Sequence, residues 1–169
     1  MEPKISLTRG DITKLQFDAI VNAANKSLLG GGGVDGAIHR AAGPGLMEVC
    51  RLLGGCETGQ AKTTKGFNLP SKFIIHTVGP VWHGGKQNEQ LQLADCYRNS
   101  LDQAVLHDCQ NIALPNISTG VYGFPKTLAA ETAVMEVKKY LETCQEPLQV
   151  TFVCFDEENF NLYSRLLNH

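Results

Sequence analysis

The segment from Asn22 to Gly36 has the composition of a phosphate-binding loop. Four consecutive glycines, Gly30–Gly33, lie between an apolar run that ends at Val21 and a helical pattern that begins at Val34. Glycines carry no Cβ, so backbone N–H groups can approach an anion closely, and a helix N-terminus adds partial positive charge. The segment lacks the Gly-Lys-Ser/Thr ending of a Walker loop and the register of the G-x-G-x-x-G fingerprint. The glycines by themselves are compatible with a phosphate loop or with a flexible surface loop.

A second glycine-bearing loop favours the first interpretation. The run Ser118-Thr119-Gly120-Val121-Tyr122-Gly123 follows an apolar strand pattern that ends at Leu114 and precedes another helical pattern. Two such loops at the same end of a sheet could bracket a diphosphate from both sides. The alternative is a plain connection that contains a turn.

An alternation of strand and helix patterns would position both loops. Strands are predicted at Ile5–Arg9, Ala19–Val21, Phe73–Val78, Asn111–Leu114 and Val150–Phe155. Helices are predicted from Val34 to about Gly54 with a break near Gly43-Pro44, from about Asn88 to His107, from about Pro125 to Cys144, and from Asp156 onward. This order predicts an α/β sandwich with a largely parallel sheet. Ligands bind beyond the carboxyl ends of such strands, so we expect function in the loops after Val21, Leu114 and Phe155.

The composition is that of one ordinary globular domain. The 169 residues are 43% hydrophobic and 19% charged, which predicts a single domain over residues 1–169. The formal net charge is -2, so the chain as a whole lacks the excess of basic residues that binds the phosphate backbone of nucleic acid. Long nucleic acid is therefore disfavoured as a partner. One nucleotide held by backbone donors stays compatible with this charge.

The chain carries no recognisable signal for export, membrane insertion or metal binding. Its first residues show no basic segment followed by an apolar core, and no apolar run approaches the ~18 residues that span a bilayer. The six cysteines form no C-x-x-C pair, and the five histidines do not cluster at metal-ligand spacing. We therefore expect reduced thiols, a cytoplasmic location and no metal or cofactor. A monomer is the expected state, and no motif specifies an oligomer.

Several long motifs together resemble a known family. Gly10-Asp11-Ile12, Asn22-Ala23-Ala24-Asn25, the Gly30–Gly36 stretch and the Ser118–Gly123 loop closely resemble MacroD-type macrodomains. The resemblance extends into two further runs, Ile38–Gly43 and His76–Trp82, and covers essentially the whole chain in the family's order. It implies a three-layer α/β/α fold, with a mixed, largely parallel sheet, that binds ADP-ribose in a cleft.

The resemblance also assigns binding roles. Asp11 would accept a hydrogen bond from the adenine amino group, supported by the Ile12 backbone, and the Phe155 ring would pack on adenine. Taken by itself, Phe155 would instead be interpreted as a core aromatic. The diphosphate would lie between two groups of residues, which are Gly32, Gly33 and Val34 on one side and Ser118, Thr119, Gly120, Val121 and Tyr122 on the other. The Tyr122 ring would also lie against the distal ribose.

Asn25 and Asp35 are the catalytic residues that the resemblance implies. Asn25 would hydrogen-bond the distal ribose, and Asp35 would orient or deprotonate the attacking water. In an alternative division of labour the substrate diphosphate positions the water and Asp35 orients the ribose. Outside the family context, Asp35 is an ordinary acid near a helix start and Asn25 an ordinary turn residue. Asn22 and His39 complete the predicted substrate site, and we interpret His39, four residues after Asp35, as a supporting residue and not as the base.

The function that the resemblance implies is hydrolysis of ADP-ribose esters. The chain would deacetylate O-acetyl-ADP-ribose and remove mono-ADP-ribose from acidic side chains of proteins, so its partners would be ADP-ribose, its esters and mono-ADP-ribosylated proteins. One alternative is a reader module that binds ADP-ribose without cleaving it, and another is an RNA-associated regulator. Asn25, Asp35 and Gly36 beside an intact phosphate loop favour the hydrolase, and the acidic balance disfavours RNA.

Overall fold

Six strands form one mixed sheet between two layers of helices in the computed structural model, which describes residues 4–168. The strands are β1 (Lys4–Arg9), β2 (Ala19–Ala24), β3 (Ala61–Lys65), β4 (Phe73–Val78), β5 (Asn111–Leu114) and β6 (Gln149–Cys154). The helices are α1 (Gly33–Ala42), α2 (Pro44–Leu53), α3 (Glu89–Leu106), α4 (Lys126–Thr143) and α5 (Glu157–Leu167), with a short 3-10 helix at Ile12–Lys14. The predicted three-layer α/β/α fold is confirmed. The two ends of the predicted domain, residues 1–3 and 169, lie outside the described residues.

The strand order across the sheet is β1-β6-β5-β2-β4-β3. All neighbouring strands run parallel except β3, which pairs antiparallel with β4 at one edge. The strands β2, β5 and β6 are therefore internal, and their short apolar runs are buried because helices cover both faces. Their carboxyl ends lie side by side at the same end of the sheet, together with the carboxyl end of β1.

Each face of the sheet has its own apolar core. On one face α3, α4 and α5 pack their apolar stripes around Tyr97, Phe152 and Tyr163. On the other face α1 and α2 pack around Ile20, Ile38 and Leu46. No helix within residues 4–168 is both long and apolar enough to cross a membrane.

The break between α1 and α2 follows the sequence closely. Gly43 adopts a positive φ of 87° and its N–H donates to the carbonyl of His39 at 3.2 Å, which ends α1. Pro44 then occupies the first turn of α2, where its missing N–H costs nothing. The predicted break near Gly43-Pro44 is confirmed.

One strand has no counterpart among the predictions. The strand β3 contains Lys62 and Lys65 and buries only the side chain of Thr64. It lacks the apolar alternation of a half-buried strand and exists through its pairing with β4, register Thr63↔Ile75. The last predicted strand also ends one residue early, at Cys154, so that Phe155 lies in the following bend.

Candidate active site

A cleft of about 750 Å³ opens at the carboxyl ends of β2, β5 and β6, within the usual range for small-molecule sites. Most of the predicted site residues line it, namely Asp11, Ile12, Asn25, Gly32, Gly33, Val34, Asp35, Ser118, Thr119, Gly120, Val121, Tyr122 and Phe155. Asn22 and His39 lie behind Asp35, outside the described lining. The lining also includes polar side chains that sequence reasoning missed, namely Arg40, Asn116, Asp156 and Asn159.

The glycine run forms one wall of the cleft and begins α1. Gly33 adopts a positive φ of 58°. Gly32 is the N-cap residue and, because it has no side chain, it cannot cap the helix with a side-chain hydrogen bond. The first N–H groups of α1 are therefore free of a side-chain cap and available to an anion. A Cβ on Gly31 would lie 3.2 Å from Oδ2 of Asp35 and 3.4 Å from Nδ2 of Asn25. Gly31 thus lets the loop pass close to both predicted catalytic side chains.

The second loop forms the opposite wall. Ser118 adopts a positive φ of 67°, and its buried Oγ has no hydrogen-bond partner among the described residues. The base of the loop is held by the N–H of Phe124, which donates to the carbonyl of Ser118 at 2.9 Å, and by the N–H of Trp82, which donates to that of Tyr122 at 2.9 Å. Val121 at the tip is fully exposed. The wall is therefore anchored at its base and open at its tip.

Asp11 and Phe155 line the cleft at its β1–β6 end, where Asp11 follows β1 and Phe155 follows β6. Oδ1 of Asp11 accepts from the backbone N of Thr13 at 3.0 Å and from its hydroxyl at 2.7 Å. The Thr13 hydroxyl bond is the main reason that the pKa of Asp11 lies below its usual range, so the carboxylate is ionised and can accept from a ligand. Phe155 is 79% exposed and presents its ring to the cleft, so its alternative interpretation as a core aromatic is wrong.

Asn159 adds an unexpected polar atom at this end. Its side chain is buried, and Nδ2 donates to both carboxylate oxygens of Asp156, at 3.2 and 3.1 Å. Its Oδ1 has no partner in the part of the chain that the structure describes. Asn159 belongs to the lining of the cleft, and its buried oxygen is an acceptor without a partner among the described residues.

Asn25 uses most of its amide to shape the glycine loop. Its Oδ1 accepts from Oγ of Ser27 at 2.8 Å and from the backbone N of Leu28 at 3.1 Å, while Nδ2 donates to the carbonyl of Gly30 at 2.8 Å. Asn25 is thus a turn residue and a cleft residue at once. One proton of Nδ2 is left over, and it is the only amide donor that this side chain can offer to a ligand.

Asp35 is a buried carboxylate at the start of α1. It lies in the first turn of the helix, as its alternative interpretation as an ordinary acid near a helix start also expects, but it is only 4% exposed. Oδ1 accepts from Nδ2 of Asn22 at 2.9 Å, and Nε2 of His39 lies 3.4 Å away. Oδ2 has no hydrogen bond among the described residues and lies beside Gly31. Burial raises the pKa of Asp35, and the Asn22 hydrogen bond and the His39 ring oppose this rise in part.

The chemistry of the cleft is that of carboxylates, amides and backbone donors. Within residues 4–168 no group of three or more His, Cys, Asp or Glu side chains could hold a metal ion. All six cysteines are free thiols, and none belongs to the described lining of the cleft. Burial raises the pKa of five of them, which disfavours the nucleophilic thiolate. The arrangement can bind an anion between two loops and hold a polarised water beside Asp35.

Comparisons with known proteins place this geometry in a family. A family model, the Macro domain, matches residues 21–133. A Macro domain-containing protein of Chlorobaculum tepidum is 57% identical, and the match covers 96% of this chain and 95% of that protein. A protein of Escherichia coli strain K12 named O-acetyl-ADP-ribose deacetylase is 54% identical, with 99% of this chain and 97% of the relative covered.

Solved structures agree with the sequence relatives. The Oceanobacillus iheyensis macrodomain with ADP has a TM-score of 0.92 at 44% identity, covering 96% of this chain and 88% of that one. The Trypanosoma brucei macrodomain in complex with ADP-ribose has a TM-score of 0.91 at 44% identity, covering 96% of this chain and 68% of that one. With its sheet, its two loops and its buried carboxylate in place, the chain belongs to the Macro domain family.

Proposed function

We propose that this protein is a hydrolase of ADP-ribose esters, which deacetylates O-acetyl-ADP-ribose and removes mono-ADP-ribose from acidic side chains of proteins. The observation that carries the proposal is the buried Asp35 carboxylate, whose free Oδ2 lies beside Gly31 at the end of a cleft walled by backbone donors. The names of relatives at 53–54% identity support the deacetylase activity.

In the proposed complex the nucleotide lies along the cleft. Adenine stacks on Phe155 and donates its amino proton to Asp11. The diphosphate lies between the N-terminus of α1 and the Ser118–Tyr122 loop, where backbone N–H groups replace its hydration shell. The distal ribose then reaches the end of the cleft at Asn25 and Asp35, against the Tyr122 ring.

The chemical step needs a water held beside the ester. The spare Nδ2 proton of Asn25 bonds a ribose oxygen and fixes the ester, and Oδ2 of Asp35 accepts a proton from the water. The water oxygen attacks the ester carbonyl carbon, and the bond from that carbon to the ribose oxygen breaks. The ribose oxygen takes the proton from Asp35, and the carboxylic acid formed from the ester is released. In the second division of labour the substrate diphosphate positions the water and Asp35 orients the ribose. In both schemes the rate comes from positioning and electrostatics.

A reader that binds ADP-ribose without cleaving it is the competing function. Binding alone does not separate the two functions, because both use the adenine and diphosphate contacts. The free Oδ2 of buried Asp35 favours the hydrolase, since a desolvated carboxylate beside the ribose can accept a proton from water as well as hold the ribose. RNA regulation has less support, because three of the four charged side chains in the described lining are acidic.

The test is release of acetate from O-acetyl-ADP-ribose, run in parallel with release of ADP-ribose from a glutamate-modified protein. Asp35→Asn serves as the isosteric control. We expect turnover by the parent on both substrates, and an Asp35→Asn variant that binds ADP-ribose but loses most turnover. Tight ADP-ribose binding without turnover by the parent would identify a reader. A cytoplasmic location, a monomeric state, one domain over residues 1–169 and modified proteins as partners stay predictions.

A further inference from the structure

A chain of buried hydrogen bonds leads from Asp35 into the sheet, away from the cleft. Nδ2 of Asn22 on β2 lies 2.9 Å from Oδ1 of Asp35 and 3.1 Å from Nδ1 of His76 on β4. Nε2 of His76 lies 3.0 Å from Oγ1 of Thr64 on β3, and this hydroxyl lies 3.1 Å from the carbonyl of Lys65. Asn22 and His76 are direct partners in the β2–β4 register, and both are fully buried. Three strands therefore contribute to one network that ends at the predicted catalytic carboxylate.

The chemistry of the groups fixes the direction of every bond. The carboxylate of Asp35 can only accept, so Asn22 must turn its NH₂ group, and not its oxygen, toward it. The second proton of the same NH₂ group then points at Nδ1 of His76, which must be an unprotonated acceptor. The proton of a neutral His76 is consequently on Nε2 and is donated to Thr64, whose own hydroxyl proton goes to the Lys65 carbonyl.

This network determines which oxygen of Asp35 faces the cleft. With Oδ1 held by Asn22, Oδ2 is left beside Gly31 and Asn25. If the amide of Asn22 turned over, its oxygen would face the carboxylate and repel it. We propose that His76 and Thr64 are positioning residues, which hold the Asn22 amide in the one orientation that presents Oδ2 of Asp35 to the substrate. The kinetic consequences of this inference rest on the proposed function, whereas its structural consequences do not.

The environment of His76 agrees with a neutral ring. Burial, and to a smaller extent the nearby His39, lowers the pKa of His76 to about 3. A charged ring would carry a proton on Nδ1 and point it at the NH₂ group of Asn22, which would break the network. His76 therefore carries no proton to or from the reaction at neutral pH, and its effect passes through Asn22.

The kinetic test uses a pair of substitutions at one position. Thr64→Val keeps the shape and removes the hydroxyl, and Thr64→Ser keeps the hydroxyl. We expect Thr64→Val to lower kcat by about 10- to 100-fold, the cost of a misplaced catalytic group, with KM nearly unchanged, and Thr64→Ser to restore most of kcat. Thr63→Val is the matched control, because the Thr63 hydroxyl binds Oε1 of Gln103 at 2.6 Å, away from Asp35. Equal kcat in Thr64→Val and Thr63→Val would overturn the inference.

The pH profile separates positioning from a general loss of structure. The Asn22 bond lowers the pKa of Asp35, so loosening it raises that pKa and moves the acid limb of kcat to higher pH. His39 on α1 and Cys50 on α2 also interact with Asp35, and both are retained in every variant. We expect the shifted limb in Thr64→Val and in His76→Leu, and a smaller shift in His76→Asn, whose Oδ1 can replace Nδ1 as the acceptor. An acid limb identical to the parent's in His76→Leu would contradict the inference.

A spectroscopic readout makes the test independent of activity. Two-bond ¹H–¹⁵N NMR correlations report which ring nitrogen of His76 carries the proton, and ¹³C titration reports the pKa of Asp35. We expect the Nε2-protonated tautomer in the parent, and a mixture of tautomers with a higher Asp35 pKa in Thr64→Val. A parent ring protonated on Nδ1 would overturn the inference. If the parent shows no turnover on either ester, the proposed function fails, while these NMR readouts still test the network.

Discussion

The buried position of Asp35 lowers the stability of the folded state at neutral pH. Burial raises its pKa above the ordinary value of 3.8, so the folded state holds this proton more tightly than the unfolded state does. The resulting stability is fully present below the unfolded pKa and is lost as pH rises through the folded pKa. At neutral pH the ionised, desolvated carboxylate therefore destabilises the fold.

The first prediction at the residue scale concerns Asp35→Asn. The amide keeps an oxygen that can accept from Asn22 and removes the buried charge. We expect turnover to fall to near background while the Tm at pH 7 rises above that of the parent. This gain should shrink as the pH falls through the raised folded-state pKa of Asp35, and it should be lost below the ordinary value of 3.8, where the carboxyl is protonated in the folded and the unfolded state. Differential scanning calorimetry at pH 7 and pH 3 checks this, and a Tm at pH 7 below that of the parent would show that the charge does not cost stability.

Phe155 is a large apolar side chain that is almost fully exposed at the edge of the cleft. Stacking of a base on an aromatic ring contributes about 1–3 kcal/mol, which corresponds to roughly 5- to 150-fold in affinity. We expect Phe155→Ala to weaken ADP-ribose binding by a factor in this range and to leave the Tm nearly unchanged, since little core packing is lost. Titration calorimetry with ADP-ribose measures the affinity. Unchanged affinity would remove Phe155 from the adenine site.

At the scale of elements, the segment before α3 supports the second wall of the cleft. The Glu89 carboxylate accepts from the backbone N–H groups of His83, Gly85 and Gln87, at 2.7, 3.0 and 2.6 Å. The same segment begins at Trp82, whose N–H binds the Tyr122 carbonyl and whose ring lies 4.7 Å from that of Phe124. One carboxylate thus organises a segment that anchors the Ser118–Tyr122 loop.

A pH-dependent stability follows from this arrangement. Desolvation raises the pKa of Glu89, but the backbone hydrogen bonds outweigh it and lower the pKa to about 2, from an ordinary value of 4.5. The stabilisation is present above the unfolded pKa and is lost as pH falls toward the folded pKa. We expect Glu89→Gln to lower the Tm at pH 7, with the difference from the parent shrinking between about pH 4.5 and pH 2.

The matched control for Glu89 is Glu131→Gln, on the exposed side of α4. Thermal denaturation followed by circular dichroism across this pH range compares the three proteins. A Glu89→Gln variant with the same Tm as Glu131→Gln at pH 7 would show that the carboxylate does not hold the segment.

At the scale of the whole molecule, charge opposes the proposed ligand. The formal net charge is -2, and the charged side chains in the described lining of the cleft are Asp11, Asp35, Asp156 and Arg40. Binding of a diphosphate must therefore rely on neutral backbone donors at the start of α1, together with the single guanidinium among these side chains.

Substitution of Arg40 should accordingly change the affinity for ligands that carry phosphate charge and leave the affinity for uncharged ligands unchanged. We expect Arg40→Gln to weaken ADP-ribose binding several-fold at low salt and less at high salt, because ions screen the interaction over about 10 Å at 0.1 M. Adenosine, which has no phosphate, should bind the variant and the parent equally. Arg51→Gln is the matched control, since Arg51 is exposed on α2 outside the described lining. Equal weakening of adenosine binding would show that Arg40 acts through packing.

The sequence by itself determined the order of the main elements and the place where the cleft forms. The internal strand β2 is predicted from its apolar run Ala19–Val21, although the strand continues to Ala24, and the break between α1 and α2 is predicted from Gly43-Pro44, so both features can be recognised from neighbouring residues. The carboxyl ends of parallel strands must share an edge, which brings the Gly30–Gly33 and Ser118–Gly123 loops together. The family motifs then supplied expected roles for individual side chains.

Only the tertiary structure decided what lies behind the cleft and which side chains face it. The strand β3 has no apolar alternation, because an edge strand is stabilised by its partner and not by its own pattern. Asn22, Thr64 and His76 are far apart along the chain and meet only through strand register, so no local pattern reveals their network. Arg40 and Asn159 line the cleft because of the directions in which packed helices point their side chains. Local periodicity encodes elements, whereas side-chain direction and long-range hydrogen bonding exist only once the elements have packed.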